Sequence, residues 1–234
     1  MVRIKKQVRK NQKKVNNIID FLMEYESVFR FSRNRLIFPE NLVSHIGMVT
    51  ILGTYIMDAI NDDWVSDNPD ARYLDPMFSD HDYGDFLKFA VVHDMDEIVT
   101  GDIARPTKYA NGVVLRSLKS LEEQSVERIV KDYNLPEGWD YRWHVAKEGK
   151  AGYVLKVSDF LCVIATCYRE INLYGNKQFS KVAAEACDFG IELVNNLQEI
   201  ERNTESIRRD VIYILQKLPE FVLSGMKLID RRIM

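Results

Sequence analysis

The sequence predicts an all-α protein, and three features of the chain support this prediction. Apolar residues recur at the three- and four-residue spacing of amphipathic helices through most of the 234 residues. Sustained period-two alternation, the mark of half-buried strands, is scarce. Glycine and proline, with 11 and 6 occurrences, are too few for a protein built from many strands and turns. We therefore expect few strands or none.

The apolar pattern also sets the order of the predicted helices. Residues 84–99 are apolar nearly all round, which indicates a helix in the middle of a bundle. Gly101 and Gly175 stand where two of the helices are expected to end. Residues 61–83 are polar and contain Asn-Pro and Asp-Pro breakers, so we expect them to be irregular. The predicted helices cover residues 14–28, 42–60, 84–99, 113–133, 150–174, 178–200 and 204–229, with a turn at 135–138.

Composition excludes several classes of protein. Hydrophobic residues make up 46% of the chain and the net charge is −3, which excludes a disordered chain and indicates no particular partner. No run approaches about 18 uninterrupted apolar residues, so we expect no membrane span. The three cysteines form no CxxC pair, which argues against a disulfide framework and a thiolate zinc site and favours a cytoplasmic protein.

The first 40 residues carry ten Lys and Arg against four acids. Such a basic start could touch nucleic acid. No aromatic residues interleave with the lysines, however, so a surface for stacking bases is not indicated. We expect a solvated helix face or a frayed terminus here and do not expect nucleic acid as a partner.

His93-Asp94 is the pair whose surroundings suggest chemistry. It follows the apolar run FLKFAVV, whereas His81-Asp82 lies in the polar stretch SDHDYGD and is expected to be solvated. Glu97 lies four residues after His93 and three after Asp94, so the three side chains can share one helix face. Buried acids need partners, and a metal cation would supply one. The alternative is that each side chain is a satisfied core group.

Two more polar residues interrupt apolar helices. His45 lies near the start of the second predicted helix, and Asp159 is a lone acid in VLKVSDFLCVIA. Together with His93 and Asp94 they offer two imidazoles and two carboxylates. That donor set suits a mononuclear site for Mn, Co, Fe, Ni, Mg or Zn.

The order His45, His93-Asp94, Asp159 resembles the H…HD…D signature of the HD superfamily of metal-dependent phosphohydrolases. The stretch HDMDEIVTGDIARPTKY at 93–109 is similar to the HD..E..TGD…P.KY motif of bacterial HD-domain 5′-deoxynucleotidases. Arg30-Phe31 stands where that family has Arg-Trp, and Glu40-Asn41 also fits. The resemblance covers residues 28–200, with a longer insertion at 61–83.

The resemblance implies an HD-domain helical bundle that holds one divalent metal ion through His45, His93, Asp94 and Asp159. It implies hydrolysis of a 2′-deoxynucleoside 5′-monophosphate to deoxynucleoside and phosphate, with Glu97 handling a proton. It divides the chain into a basic extension with a first helix (1–27), the HD domain (28–200) and a C-terminal helix packed on it (201–234). By analogy we expect a homodimer, for which helices 178–200 and 204–229 offer a surface.

The resemblance also implies a substrate site. Arg30 would hold phosphate oxygens, although Arg33 and Arg35 stand nearby and could substitute for it. Asp102 would accept a hydrogen bond from a sugar hydroxyl and belongs with Glu97 among the catalytic candidates. Lys108 is a candidate for phosphate contact, with simple exposure as the alternative.

Two residues depart from the family pattern. Phe31 replaces a tryptophan beside the ribose 2′ position, and the smaller ring is expected to loosen discrimination between deoxyribose and ribose. Arg105 replaces a small hydroxyl residue and could meet further phosphates. This keeps open a deoxynucleoside triphosphate triphosphohydrolase that releases tripolyphosphate. A second alternative is a metal-bound nucleotide-binding module without turnover, although the presence of Glu97 argues against it.

Overall fold

A computed structural model of the protein describes residues 2–69, 76–204 and 209–233, and side chains within 11–69, 76–204 and 209–229. Helices joined by turns and loops make up these residues, and no strand occurs among them apart from an isolated bridge between Phe29 and Asn41. The all-α prediction is therefore confirmed. The helices are α1 (Val2–Ser27), α2 (Leu42–Asp67), α3 (Asp80–Val92), α4 (Glu97–Thr100), α5 (Arg105–Lys108), α6 (Gly112–Asp132), α7 (Trp139–Val145), α8 (Gly149–Tyr168), α9 (Ser180–Asn203) and α10 (Arg209–Ile233).

The predicted helices are present, but several boundaries differ. α1 begins well before residue 14, and α2 continues to Asp67, into the segment expected to be irregular. The expected helix at 84–99 is interrupted, because α3 ends at Val92 and a turn precedes the short α4. Within the predicted insertion at 61–83, residues 70–75 lie outside the described residues. The short helices α5 and α7 have too few residues for an apolar period to reveal them.

The His81-Asp82 stretch is helical, which corrects the expectation of a polar loop. Ser79 caps α3 through a capping box, in which its hydroxyl accepts from the Asp82 N–H and the Asp82 carboxylate accepts from the Ser79 N–H. The polar composition of this stretch therefore serves a helix N-terminus. His81 itself is solvated as predicted, since its side chain is 82% exposed.

α8 lies in the middle of the bundle. It packs against α2, α3, α9 and α10, and its buried side chains include Leu155, Phe160 and Ile164. A second, smaller core lies beneath α1, where Phe21 and Tyr25 pack among residues of α2 and α6. The main core thus surrounds the helix that carries Asp159.

α2 and α3 approach each other closely at Gly53. A Cβ atom built on Gly53 would lie 2.0 Å from Cζ of Phe86, whose ring is fully buried. Only a residue without a side chain fits this position while Phe86 keeps its place. Gly53 therefore sets the separation of the two helices that lead to His45 and His93.

By length and hydropathy alone, α2 and the α8 segment to Leu173 could each cross a membrane. Both helices pack in the core, where α8 touches four other helices and α2 packs on α8 and α3. The buried His45 on α2 is also out of place in a lipid-facing span. We assign these helices to the interior of the bundle.

The apolar residues of α9 and α10 largely pack within the chain. Leu193 and Leu197 of α9 are buried, as are Leu215 and Leu218 of α10. The helices proposed from sequence as a dimer surface therefore use much of their apolar face inside the fold. Ile191 of α9 and Leu223 and Leu228 of α10 remain exposed, and further exposed apolar side chains occur on α1 and α2, at Val15, Ile18, Ile19, Leu22, Met23, Ile51 and Tyr55.

Candidate active site

The structure brings together the four side chains proposed from sequence as metal ligands. His45 comes from the first turn of α2, His93 and Asp94 from the turn after α3, and Asp159 from the middle of α8. The His45 Nε2 atom lies 3.3 Å from each of His93 Nε2, Asp94 Oδ2 and Asp159 Oδ1. His93 Nε2 lies 3.1 Å from Asp94 Oδ2. We call these four residues the HD cluster.

The donor chemistry of the HD cluster fits a divalent metal ion. Two imidazole nitrogens and two carboxylate oxygens converge on one point, a mixed set typical of Mn, Fe, Co, Ni and Zn. Asp159 Oδ1 is buried and has no hydrogen-bond partner. Its charged neighbours, Arg30 Nη1 at 3.5 Å and His45 Nε2 at 3.3 Å, make no hydrogen bond to it, so this oxygen can accept a closer cation. That these residues hold a metal remains a prediction.

Arg30 lies against the HD cluster. Its guanidinium contacts His45 Nε2, and its Nη1 atom lies 3.5 Å from Asp159 Oδ1 and 3.7 Å from Asp94 Oδ2. A bridge in the loop before α2 fixes its backbone, because the Arg30 N–H donates to the Glu40 carbonyl. Burial works against the positive charge, yet Asp159 and Asp94 raise the pKa of Arg30 above its usual value. Arg33, the proposed substitute, instead donates to Thr107.

The two aspartates of the cluster are held in their charged form. Burial alone would raise the pKa of each, but the imidazoles outweigh it and hold the pKa of Asp94 well below its usual range. The nearby His45 and the charge of Arg30 likewise lower the pKa of Asp159. Burial and Arg30 lower the pKa of His45, yet the nearby Asp159 and Asp94 prevail and raise it. Both carboxylates are thus ready to bind a cation.

Glu97 behaves in the opposite way. Burial, together with the charge of Asp94, raises its pKa well above the usual value. Its Oε2 atom is buried without a hydrogen-bond partner. Burial and Asp94 also raise the pKa of Asp96 to about 6, although the Trp143 indole donates to its carboxylate. Glu97 therefore lies near the charged Asp94 as a group that can hold a proton.

Asp102 and Phe31 contact each other at one side of the cluster. The Phe31 N–H donates to Asp102 Oδ2, and Phe31 has a positive φ of 54°, which is uncommon for a bulky residue. The Phe31 ring lies edge-on to Phe179, with centroids 5.3 Å apart. Such strain persists only where the surroundings enforce it. Asp102 thus holds the loop that carries Arg30 and Phe31, while its proposed contact with a sugar hydroxyl remains a prediction.

Arg105 and Lys108 are engaged with other helices. The Arg105 guanidinium pairs with Glu192 of α9 at 2.6 Å and lies 3.8 Å from the centre of the Phe189 ring. Lys108 Nζ lies 2.6 Å from Glu122 Oε1 on α6. The structure therefore uses both cations to fasten the segment after α4. Their proposed contacts with phosphate remain predictions.

A buried carboxylate that the sequence pattern did not single out as functional lies next to the cluster. Glu40 is 2% exposed and accepts from the Thr166 hydroxyl at 2.6 Å and from Arg169 Nη2 at 3.4 Å. Glu170, also fully buried, accepts from the N–H groups of Ile37 and Phe38. Arg169 and Glu170 begin a π-helical turn, a feature frequent at functional sites. The only sequence signal for Glu40 was its place in the Glu-Asn pair.

Comparison with known proteins gives a consistent result. A family profile described as "5′-deoxynucleotidase YfbR-like" matches residues 17–203. A 5′-deoxynucleotidase of Pectobacterium atrosepticum is 30% identical over 41% of this chain and 49% of its own length. One of Photorhabdus laumondii is 28% identical over the same shares. The chain thus spans about half the length of the curated relatives it matches.

Solved structures agree on the fold. An HD-domain phosphohydrolase of Listeria innocua superposes with a TM-score of 0.59 at 21% identity, covering 94% of this chain and 97% of its own. A conserved hypothetical protein of Pyrococcus furiosus gives a TM-score of 0.52 at 17% identity, covering 88% of this chain and 99% of its own. At these identities the likeness establishes the helical fold alone.

Proposed function

Because the chain belongs to the YfbR-like 5′-deoxynucleotidase family, we propose that it is a metal-dependent 5′-deoxynucleotidase. It would hydrolyse 2′-deoxynucleoside 5′-monophosphates to the deoxynucleoside and orthophosphate. The observation that carries the proposal is the HD cluster itself, with a buried Asp159 oxygen that makes no hydrogen bond and a protonatable Glu97 beside it.

His45, His93, Asp94 and Asp159 would hold one divalent ion. When bound, such an ion polarises phosphoryl oxygens and lowers the pKa of water toward neutrality. The chain itself supplies the rest of the chemistry. Cobalt, manganese, magnesium, iron, nickel and zinc all suit the donor set, and the native ion is to be found by metal analysis.

Hydrolysis adds one water across the bond between phosphorus and the 5′ oxygen. Arg30 offers a fixed, always charged fork beside the metal ligands, which suits the equatorial oxygens of the phosphate. The leaving 5′ oxygen needs a proton as that bond breaks, and Glu97 is the group whose raised pKa lets it carry one. Asp102 would orient the sugar while it holds the Phe31 loop.

The test is a product assay with the purified chain, Co²⁺ or Mn²⁺, and panels of dNMPs, NMPs and dNTPs. We expect orthophosphate from dNMPs, with some release from NMPs because Phe31 is smaller than the tryptophan it replaces. Tripolyphosphate from a dNTP would overturn the monophosphate assignment. Nucleotide binding without any product would favour the non-catalytic module.

A matched pair of variants controls this assay. His93→Ala removes a buried member of the HD cluster, whereas His81→Ala removes the exposed histidine of the other His-Asp pair. We expect the first variant to lose activity and the second to keep it. Equal loss in both would mean that the activity does not come from this site.

The triphosphohydrolase alternative gains no support from Arg105, because its guanidinium already pairs with Glu192.

We further propose a cytoplasmic, homodimeric protein. Cys162 and Cys167 are buried cysteines outside any disulfide, which fits a reducing compartment. Exposed apolar side chains such as Ile51 and Tyr55 give a second copy a surface to cover. Light scattering of the purified chain would measure the oligomeric state.

A further inference from the structure

The His45 ring has acidic or polar groups at both of its nitrogens. Its Nε2 atom faces Asp94 and Asp159, at 3.3 Å each. Its Nδ1 atom faces the other way, 3.2 Å from Cys162 Sγ and 3.6 Å from Glu40 Oε1. The ring is completely buried, so no water can replace these partners. What holds Nδ1 therefore determines how Nε2 is presented to the cluster.

The imidazole of His93 is held by a backbone carbonyl rather than by a side chain. Its Nδ1 atom lies 2.8 Å from the Ala90 carbonyl oxygen of α3, and its Nε2 atom faces Asp94. A carbonyl oxygen can only accept, so Nδ1 of His93 carries the proton and Nε2 presents a lone pair. His45 lies at the start of α2, where no backbone carbonyl is among its Nδ1 contacts. A side chain has to supply the acceptor.

Glu40 is fixed in a way that suits this task. Its Oε2 atom accepts from the Thr166 hydroxyl at 2.6 Å and from Arg169 at 3.4 Å. Its Oε1 atom is left for His45, with Arg30 Nε at 4.0 Å. A carboxylate that is 2% exposed is costly to bury unless its charge is used. One oxygen is thus anchored to α8, and the other faces the histidine.

We propose that Glu40 is the positioning residue for His45: its carboxylate accepts a hydrogen bond from the Nδ1–H group, fixes the ring and leaves the Nε2 lone pair for the metal. This inference rests on the proposed function, since it assumes a metal at the HD cluster. Carboxylates that orient metal-bound histidines in this way also raise their basicity. Thr166 and Arg169 hold Glu40 in place, so a chain of contacts connects the end of α8 to the metal ligand on α2.

Cys162 shares the Nδ1 side of the ring, and its sulfur also lies 3.9 Å from Glu40 Oε1. A thiol is a weak acceptor, so the carboxylate is the stronger partner for an imidazole N–H. Glu40, His45 and Cys162 are also close enough together to hold an ion of their own. The test therefore counts metal ions as well as measuring their affinity.

The experiment compares Glu40→Gln with Glu170→Gln in the full chain. Both residues are buried carboxylates that contact the loop before α2, but Glu170 accepts from backbone N–H groups and Asn176 and does not contact His45. Co²⁺ affinity and stoichiometry are measured by calorimetry. The protonation of His45 Nδ1 is read from ¹⁵N spectra of the Zn²⁺-loaded protein, and dNMP turnover is measured on the same preparations.

We expect Glu40→Gln to weaken Co²⁺ binding by about 10- to 100-fold and to alter the Nδ1 signal. Glu170→Gln should change the affinity by less than about threefold even if it lowers stability. Thr166→Val leaves Glu40 in place with one anchor fewer, and should weaken binding by about two- to tenfold. This variant keeps the test decisive if Glu40→Gln does not fold.

Affinity unchanged in both Glu40→Gln and Thr166→Val would overturn the inference. Two Co²⁺ ions per wild-type chain, with one lost in Glu40→Gln, would replace it by a second metal site. Normal Co²⁺ binding without dNMP turnover would overturn the proposed function and leave Glu40's role standing. A wild-type chain that binds no Co²⁺ would overturn both.

Discussion

Two groups of charged side chains in this bundle, one around Lys150 and the other the HD cluster, differ in how fully their polar atoms are hydrogen-bonded. In the Lys150 group, Nζ of Lys150 lies 2.9 Å from the Met77 carbonyl, 3.1 Å from Asp82 and 3.4 Å from Asp210. Each of these contacts satisfies another polar group. In the HD cluster, Asp159 Oδ1 is buried without a hydrogen-bond partner, as is Oε2 of the neighbouring Glu97.

We interpret the Lys150 group as charges that stabilise the fold and the HD cluster as charges that are arranged to bind a ligand. Side chains that satisfy one another connect helix ends and need nothing further. Buried atoms without partners are costly and persist mainly where function requires them. Each of the following predictions tests this distinction.

The largest effect is expected from Asp94→Asn. The amide cannot supply the charge that balances His93, His45 and a bound cation, so metal and activity should be lost together. We expect kcat/KM to fall by about 1000-fold or more, because a catalytic metal contributes several kcal/mol. Metal content and kcat/KM are the measurements. A variant with a full metal complement and activity within tenfold of wild type would contradict the assignment.

Glu97→Gln should separate chemistry from metal binding. Glu97 is not among the proposed ligands, so the Co²⁺ affinity should stay within a few-fold of wild type. The amide cannot carry the proton, and kcat should fall by about 100- to 10,000-fold. Steady-state kinetics beside calorimetry would measure both. Near-normal turnover would show that another group moves the proton.

Lys150→Met should act on stability alone. The variant keeps the length of a side chain that is 19% exposed but loses its contacts with Met77, Asp82 and Asp210. We expect the free energy of unfolding to fall by about 1–2 kcal/mol, with kcat unchanged. Lys147→Met, at an exposed position, is the control for adding an apolar side chain. A loss of metal affinity in Lys150→Met would break the distinction between the two groups.

Asp82→Asn should give the smallest effect, and one that depends on pH. Burial opposes the charge of Asp82, but the bonds from Ser79 and the ion pair with Lys150 lower its pKa. Because the pKa of Asp82 is lower in the folded state, its charge stabilises the fold at pH values above the unfolded-state pKa of about 3.9. This stabilisation is lost as the pH falls through the pKa of Asp82 in the folded state.

The free energy of unfolding of wild type should therefore exceed that of Asp82→Asn by about 0.5–1 kcal/mol near pH 7. The difference should shrink as the pH falls below about 4. Thermal unfolding at several pH values would measure it. A difference that does not change between pH 7 and pH 3 would mean that the charge of Asp82 contributes nothing.

The long helices could be predicted from the sequence because their apolar faces repeat over many turns. The end of α2 and the start of α3 could not, because local capping decides them: Ser79 and Asp82 make a polar stretch helical. The HD cluster was predictable because ionisable residues interrupt apolar runs. Its surroundings were not, since Glu40 meets Thr166 only after the chain has folded.

The same limit applies to the predicted phosphate contacts. Arg105 and Lys108 are only candidates for phosphate contact from the sequence, and in the structure each pairs with an acid from a later helix. A sequence gives the charge of such a residue but not its partner. Pairing between segments far apart in the chain depends on the packing of α6 and α9, which no local pattern encodes.

The contact of Gly53 with Phe86 has a consequence at a distance. Gly53 lies eight residues after His45 and Phe86 seven before His93, which places the contact about 10–12 Å along the two helices from the histidines. α2 and α3 cross at this contact, and because Gly53 has no side chain the two helices can approach each other closely there. A methyl group added at Gly53 would push α2 and α3 apart and move the imidazoles of His45 and His93 away from each other. Gly53 thus helps to set the distance between His45 and His93 although it contacts neither residue.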